Sequence, residues 1–409
     1  MVEEKPAYRW PMLVLLLVVS LFVSGMGMGV MPPLFDEIKE ELGLTHTQIG
    51  VIWGAAALGG LLTTLIGGTL GDRLGVKRVV GAGIIFSAIA CALRAILPGF
   101  WGLSAAMLLF GMAVGFIFPN ISKTVGMWFG PRELGRALGL IMVGGALGTA
   151  IALIAGAPLS SLLGGWKPVM WLTAAISAGI LMLWIALARE RPVAQVKADP
   201  TARGLSAREG LRRVLGVRDL WLICLMQLCV TGAVTAFLGL FPETLEDRGM
   251  SSEMAGIYAA IGAFTAMVFS VIGPYFSDKV GRRKPFIWPF LLIDVVVVTF
   301  LGVFMGAPLV IVIILSAVGI GTALPMFGAL VIENERIGPL LAGSAIGLLG
   351  TVARIGSIVV PITMGAIIDA TGKYWVGFLL LAMLYAVAAA LGTTLKETGL
   401  RARQAAEAG

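Results

Sequence analysis

The chain has 409 residues, 58% hydrophobic and only 13% charged, with 55 glycines and a formal net charge of +7. A soluble domain carries about 45–50% apolar and about 25% charged residues, so too little polar sequence remains to clothe a core of this size in water. That excludes an ordinary soluble protein, and at about 20 apolar residues per crossing the length accommodates about twelve spans with loops to spare.

Cut at charged and Pro/Gly punctuation, the first part of the chain gives spans at 11–33, 47–70, 77–97, 101–125, 136–160 and 167–188. A polar segment from Arg189 to Arg218 follows, then spans at 219–242, 253–276, 285–305, 307–331, 340–368 and 374–395. The expected fold is all-α and integral to the membrane: a six-helix half at 1–188, a linker at 189–218, a second six-helix half at 219–395 and a tail at 396–409. Pro11 to Pro33 is longer than a signal-peptide core and has no clear cleavage site, so it reads as the first span. The linker is basic, holding Arg189, Arg191, Lys197, Arg203, Arg208, Arg212, Arg213 and Arg218. With the linker and both termini in the cytosol, Lys39, Arg94, Lys167, Arg248 and Lys373 fall at the outer margin and Arg354 at mid-membrane. All other Lys and Arg are cytosolic. The positive-inside rule then sets the orientation, and the net charge calls for no nucleic-acid partner.

Cys91, Cys224 and Cys229 sit inside apolar runs and read as small buried hydrophobes. His46, the only histidine, lies in a polar connection, which leaves no His/Cys cluster for a metal; the phosphate-binding pattern G-x4-G-K-[ST] is absent too. No cofactor is expected. Glycines four apart, at Gly25/Gly29, Gly111/Gly115, Gly144/Gly148 and Gly343/Gly347, place small residues on single helix faces, the pattern of close helix packing.

One motif occurs twice. After span two the chain reads GGTLGDRLGVKR from Gly67 to Arg78, and after span eight GPYFSDKVGRRK from Gly273 to Lys284. Both fit G-x4-D-[RK]-x-G-x-[RK]-[RK], at the equivalent connection of each half. Asp72 and Asp278 fall at helix C-termini, where the helix dipole disfavours a carboxylate, so each needs a partner from a neighbouring helix N-terminus or a Lys/Arg. Gly75 and Gly281 permit a tight turn. The alternative is a solvated turn whose charges only set topology.

These features, with twelve spans and a basic central loop, resemble the major facilitator superfamily over essentially the whole chain. The resemblance implies two pseudo-symmetric halves and alternating access. It assigns Asp72, Arg73, Gly75 and Arg78, with a weaker copy at Asp278, Gly281 and Arg282, to a cytosolic latch that favours the outward-open state. The loop from Pro131 to Gly139 is also similar to a cytosolic loop of many members.

Polar groups inside a membrane are costly and tend to be functional. Arg354, halfway along span eleven, shares a helical stripe with Gly347, Gly350, Thr351, Ser357 and Pro361, a small, polar surface with room for an anion that a guanidinium can grip in two parallel hydrogen bonds. Asp294 in span nine has apolar neighbours and is open to three readings: a structural pair with Arg354, a neutral buried acid, or a proton carrier. Gln227, Thr231 and Thr235 in span seven, Asn120, Lys123 and Thr124 in span four, and Tyr258 are weaker cavity candidates; Lys123 reads more readily as a snorkelling anchor than as a ligand. The chain is partly similar to nitrate/cyanate-type and oxalate/formate-type anion porters, yet lacks the paired arginines of the former in spans two and eight and the span-eight basic residue of the latter. The leading expectation is a monomeric secondary transporter in a cell membrane. It would carry a small organic anion such as a carboxylate, with or without a coupling proton or counter-anion. The alternatives are efflux of amphipathic compounds and a non-transporting sensor.

Overall fold

A computed structural model describes residues 8–190, 212–334 and 337–399; Arg191, Lys197, Arg203 and Arg208 of the linker, and the tail from Leu400 on, lie outside the described residues. Among the described residues, twelve helices are long and apolar enough to cross a membrane. They are α1 (Arg9–Leu42), α2 (His46–Leu74), α3 (Val76–Ile96), α4 (Phe100–Trp128), α5 (Pro131–Leu163), α6 (Trp166–Leu187), α7 (Arg218–Asp247), α8 (Ser252–Val280), α9 (Trp288–Leu301), α10 (Ala307–Glu333), α11 (Gly338–Thr371) and α12 (Tyr374–Thr394).

The ends follow local chemistry. Thr45 and Gln48 make a reciprocal capping box at the start of α2: the Thr45 hydroxyl accepts from the Gln48 N–H at 3.2 Å, and the Gln48 side chain accepts from the Thr45 N–H at 3.0 Å. α1 runs past Pro33, where the sequence suggested an end. After an α-helical start at Arg9–Val18 it passes through a π-helical stretch at Val19–Met26 and a 3₁₀ turn at Pro32–Leu34, then regains α geometry at Phe35–Leu42. Both prolines occupy the first positions of the 3₁₀ turn, where no in-helix N–H is needed. α9 stops short of residue 305, with Gly306 at φ +64° closing the connection to α10.

Two compact units form, residues 1–196 with 239–260, and residues 197–238 with 261–409. In the first, α2 and α3 pack on α4, α3 also packs on α6, and α5 lies along the π-helical stretch of α1. The paired glycines make these crossings: Gly111 faces the Ala56 backbone, Gly25 faces Gly145, and Gly148 faces Leu21. In the second, α9 packs on α10 and α12, and Gly232 of α7 lies against Gly356 of α11. Gly343 and Gly347 depart from the packing expectation, since nothing lies within 4 Å of where their Cβ atoms would be.

Candidate functional site

The second unit gathers the central polar residues at the crossing of α7 and α11. The Thr235 hydroxyl donates to Ser357 Oγ at 3.0 Å, and Gln227 Nε2 donates to Thr231 Oγ1 at 3.1 Å. Gln227 Oε1 is buried without a partner. One turn before Ser357, Arg354 stands half-buried on the stripe that carries Gly347, Gly350 and Thr351. Beyond the two glycines there is open space to 4 Å, and Thr351 is exposed, its hydroxyl donating to the Gly347 carbonyl at 2.9 Å. The α7 residues Gln227 and Thr231 pair with each other, and Thr235 joins α7 to the buried Ser357 of α11.

Asn120 and Tyr258 belong to the first unit. Asn120 is fully buried, and its Nδ2 donates to the carbonyls of Gly67 and Phe116, each at 2.8 Å. Its Nδ2 thus ties α2 to α4, while its Oδ1 is buried without a hydrogen-bond partner among the described residues. Tyr258 is half-buried near the start of α8.

Asp294 is 0% exposed, and the Ser316 hydroxyl of α10 lies beside its carboxyl without meeting full hydrogen-bond geometry. It points at Gly319 of α10, where a Cβ would stand 2.5 Å from Oδ2, and Tyr385 of α12 is buried nearby. The pair with Arg354 is not formed. Arg94, near the end of α3, is 0% exposed. Its Nη1 donates to the Gly27 carbonyl at 2.8 Å and its guanidinium lies 4.5 Å from the Phe110 ring centre. The break in α1 explains this, because the Met31 N–H turns back to Met28 and leaves the Gly27 carbonyl to an outside donor.

Both copies of the repeated motif find the partners their carboxylates need. Asp72 is paired with Lys123 of α4 at 2.6 Å, and the same ammonium donates to the Gly68 carbonyl at 2.5 Å, so Lys123 bridges α2 and α4. Gly75 turns at φ +89° and a side chain there would run into the Glu190 carboxylate. Arg73 and Arg78 are exposed. In the second copy Gly281 turns at φ +71°, and Arg283 carries the ion pairs while Arg282 stays exposed. Arg283 reaches Asp278 and Glu333, each at 2.6 Å, and the bonds from Glu333 raise its pKa above the ordinary arginine value. The segment after α12 closes over this cluster. Glu397 accepts from the backbone N–H groups of Arg283 at 2.6 Å and Lys284 at 3.2 Å, and the Thr398 hydroxyl donates to Glu333 at 2.9 Å. In the first turn of α5, Glu133 pairs with Arg9 at 3.0 Å; the side chains of Pro131 and Arg132 lie outside the described residues.

The sequence matches the profile of the Major Facilitator Superfamily over residues 17–338 and 223–408. The chain belongs to this superfamily. Among curated relatives of this facilitator, a protein of Cupriavidus necator named a probable sulfoacetate transporter is 23% identical over 90% of this chain and 89% of its own. A hexuronate transporter of Bacillus subtilis is 25% identical over 84% of each chain. Among solved structures, an inward-facing bacterial homologue of the human lysosomal transporter Spinster shares the fold with a TM-score of 0.80, at 15% identity, over 95% of this chain and 97% of that one. The facilitator described here is accordingly a multi-pass membrane protein of a transporter class, not an enzyme class.

Proposed function

We propose that this facilitator carries a small organic anion, of the carboxylate kind, by alternating access, with Arg354 as the anion's principal ligand. The observation that carries the reading is Arg354 itself: a cation on α11 whose stripe carries Gly347 and Gly350 with open space beyond them, one turn before Ser357, which is bonded to Thr235 of α7. A guanidinium stays charged through a transport cycle and suits a two-oxygen anion. Gln227, Thr231, Thr351 and Ser357 supply the neutral polar contacts. Relatives named for sulfoacetate and hexuronate support an acidic solute. In this reading the halves 1–188 and 219–395 rock about the site, the termini are cytosolic, and the Asp72 and Asp278 clusters stabilise one end-state. Asp294, sealed between α9, α10 and α12, takes no part in moving protons.

Counterflow in proteoliposomes against a panel of carboxylates, inorganic anions and cationic dyes tests this. Wild type is expected to exchange one or more carboxylates and Arg354→Gln to lose that exchange. A variant that exchanges the same solute as fast as wild type removes Arg354 from the site.

A further inference from the structure

Lys39 and Lys167, two cations of the first unit, each meet carboxylates. Lys39 donates to the fully buried Glu243 at 2.7 Å and meets Asp36 at 2.9 Å, and Lys167 donates to Glu41 at 2.5 Å. The acids of this region are held in turn: Glu37 accepts from the Ser160 hydroxyl at 2.6 Å and the Trp166 N–H at 3.0 Å, and Glu41 from Trp166 Nε1 at 2.6 Å. Arg94, in the same unit and fully enclosed, is different. The Gly27 carbonyl takes its Nη1 and the Phe110 ring covers its face, but its Nε and Nη2 are buried without a hydrogen-bond partner among the described residues. These two groups share one edge of the planar guanidinium, the fork that grips an anion.

A second unpartnered group lies on the same face of α3. Ser87, Cys91 and Arg94 follow one another at i, i+4 and i+7; all three are enclosed, and the Ser87 hydroxyl is also buried without a partner. Long side chains lean toward the N-terminus of their helix, which carries the guanidinium back from Arg94 toward Cys91, the one titratable group that acts on it. The Phe110 ring beneath it packs with Ala90, Cys91 and Ala174, so the surroundings are small or apolar, and the Ser87 hydroxyl stands one turn further along. A buried guanidinium is permanently charged, and one carbonyl and one ring leave that charge without an anion, a costly arrangement. The α1 side is the yielding wall: there the π-helical stretch Val19–Met26 passes into the single turn Gly27–Gly29, the kind of irregularity that recurs at functional positions.

We infer that Arg94 and Ser87 form a small-anion site inside the first unit, in which one ion of the chloride kind accepts from the Nε–Nη2 edge and from the Ser87 hydroxyl. Enclosure on every side restricts the site to a small ion. Arg354 belongs to the second unit, so this site is distinct from the one proposed for the solute and does not depend on which solute is carried.

Thermal unfolding of the full chain in detergent, followed by tryptophan fluorescence while chloride replaces methanesulfonate at fixed ionic strength, tests the site. The parent is expected to gain about 2–4 °C, saturating with chloride, and Arg354→Gln to keep that response. Ser87→Ala should need at least about fivefold more chloride for half the gain, and Arg94→Gln should show no gain. No saturable gain in the parent, a gain that Ser87→Ala and Arg94→Gln leave unchanged, or one that is lost in Arg354→Gln overturns the site. If Arg94→Gln fails to fold, Ser87→Ala and bromide-soaked crystals of the parent carry the test: an anomalous peak beside Arg94 and Ser87 supports the site, and its absence there overturns it.

Discussion

Alanine at Gly356 asks whether the crossing of α7 and α11 holds the solute site in shape. The added Cβ would press on the Leu228 carbonyl oxygen and stand 3.0 Å from Leu228 C and 3.2 Å from its Cα, against about 3.5–4.0 Å for a relaxed carbon pair. All three are backbone atoms, so no rotamer gives relief and the helices must part by about 0.5–1 Å. The Thr235–Ser357 bond, at 3.0 Å, would then leave hydrogen-bonding range. Overpacking costs about 1–3 kcal/mol and the better helix propensity of alanine returns about 0.5–1 kcal/mol, a net fall in melting temperature of up to roughly 8 °C. Counterflow should drop about tenfold or more, because site geometry is lost as well as stability. Gly350→Ala is the control: nothing lies within 4 Å of that position, so only the propensity gain applies and the melting temperature should hold or rise. Thermal scans in detergent and counterflow in proteoliposomes read both. Wild-type melting and flux in Gly356→Ala, or an equal loss of stability in Gly350→Ala, would refute the reasoning.

Asp294→Asn is expected to keep the wild-type flux and its pH profile, since the carboxyl is fully buried; a flattened profile would restore Asp294 as a proton carrier. At the cytosolic turn, Gly75→Ala should cost more stability than Lys123→Gln. The first places a side chain at positive φ against Glu190, about 1–2 kcal/mol from backbone strain alone. The second removes an ion pair whose Asp72 side chain is 68% exposed, worth about 0–1 kcal/mol. Melting temperatures of the two variants in parallel decide it.

The helix ends show how far the amino-acid sequence carries the fold. Apolar runs bounded by Gly, Pro and charge put most span limits within a few residues of those observed, because lipid leaves the backbone few options besides a helix. The exception, α1, continues through Pro32 and Pro33, and only the partners of Glu37 and Glu41 on α5 and α6 explain why. The site was legible in part. Arg354 and its stripe stood out because a charge at mid-membrane is rare, and Asp72 announced its need for a cation without saying that Lys123 would supply it. Arg94, Glu243 and Asn120 were not legible in their true roles. Each lies near a span end or in an ordinary polar position, and each is buried by a partner far along the chain: Gly27 for Arg94, Lys39 for Glu243, Gly67 for Asn120. Residue type and helical period carry no trace of such pairings.

The closing segment after α12 bears on how the protein is made. Glu397 satisfies the backbone N–H groups of Arg283 and Lys284, which left the ribosome more than a hundred residues earlier. Until Glu397 and Thr398 emerge, the turn before α9 stands with those amides bare, and Glu333 lacks the hydroxyl of Thr398. The second unit is therefore finished only once Glu397 and Thr398 have been made. A tag or fluorescent partner fused directly after α12 would remove the residues that complete it, whereas one placed beyond Gly399 leaves them to close.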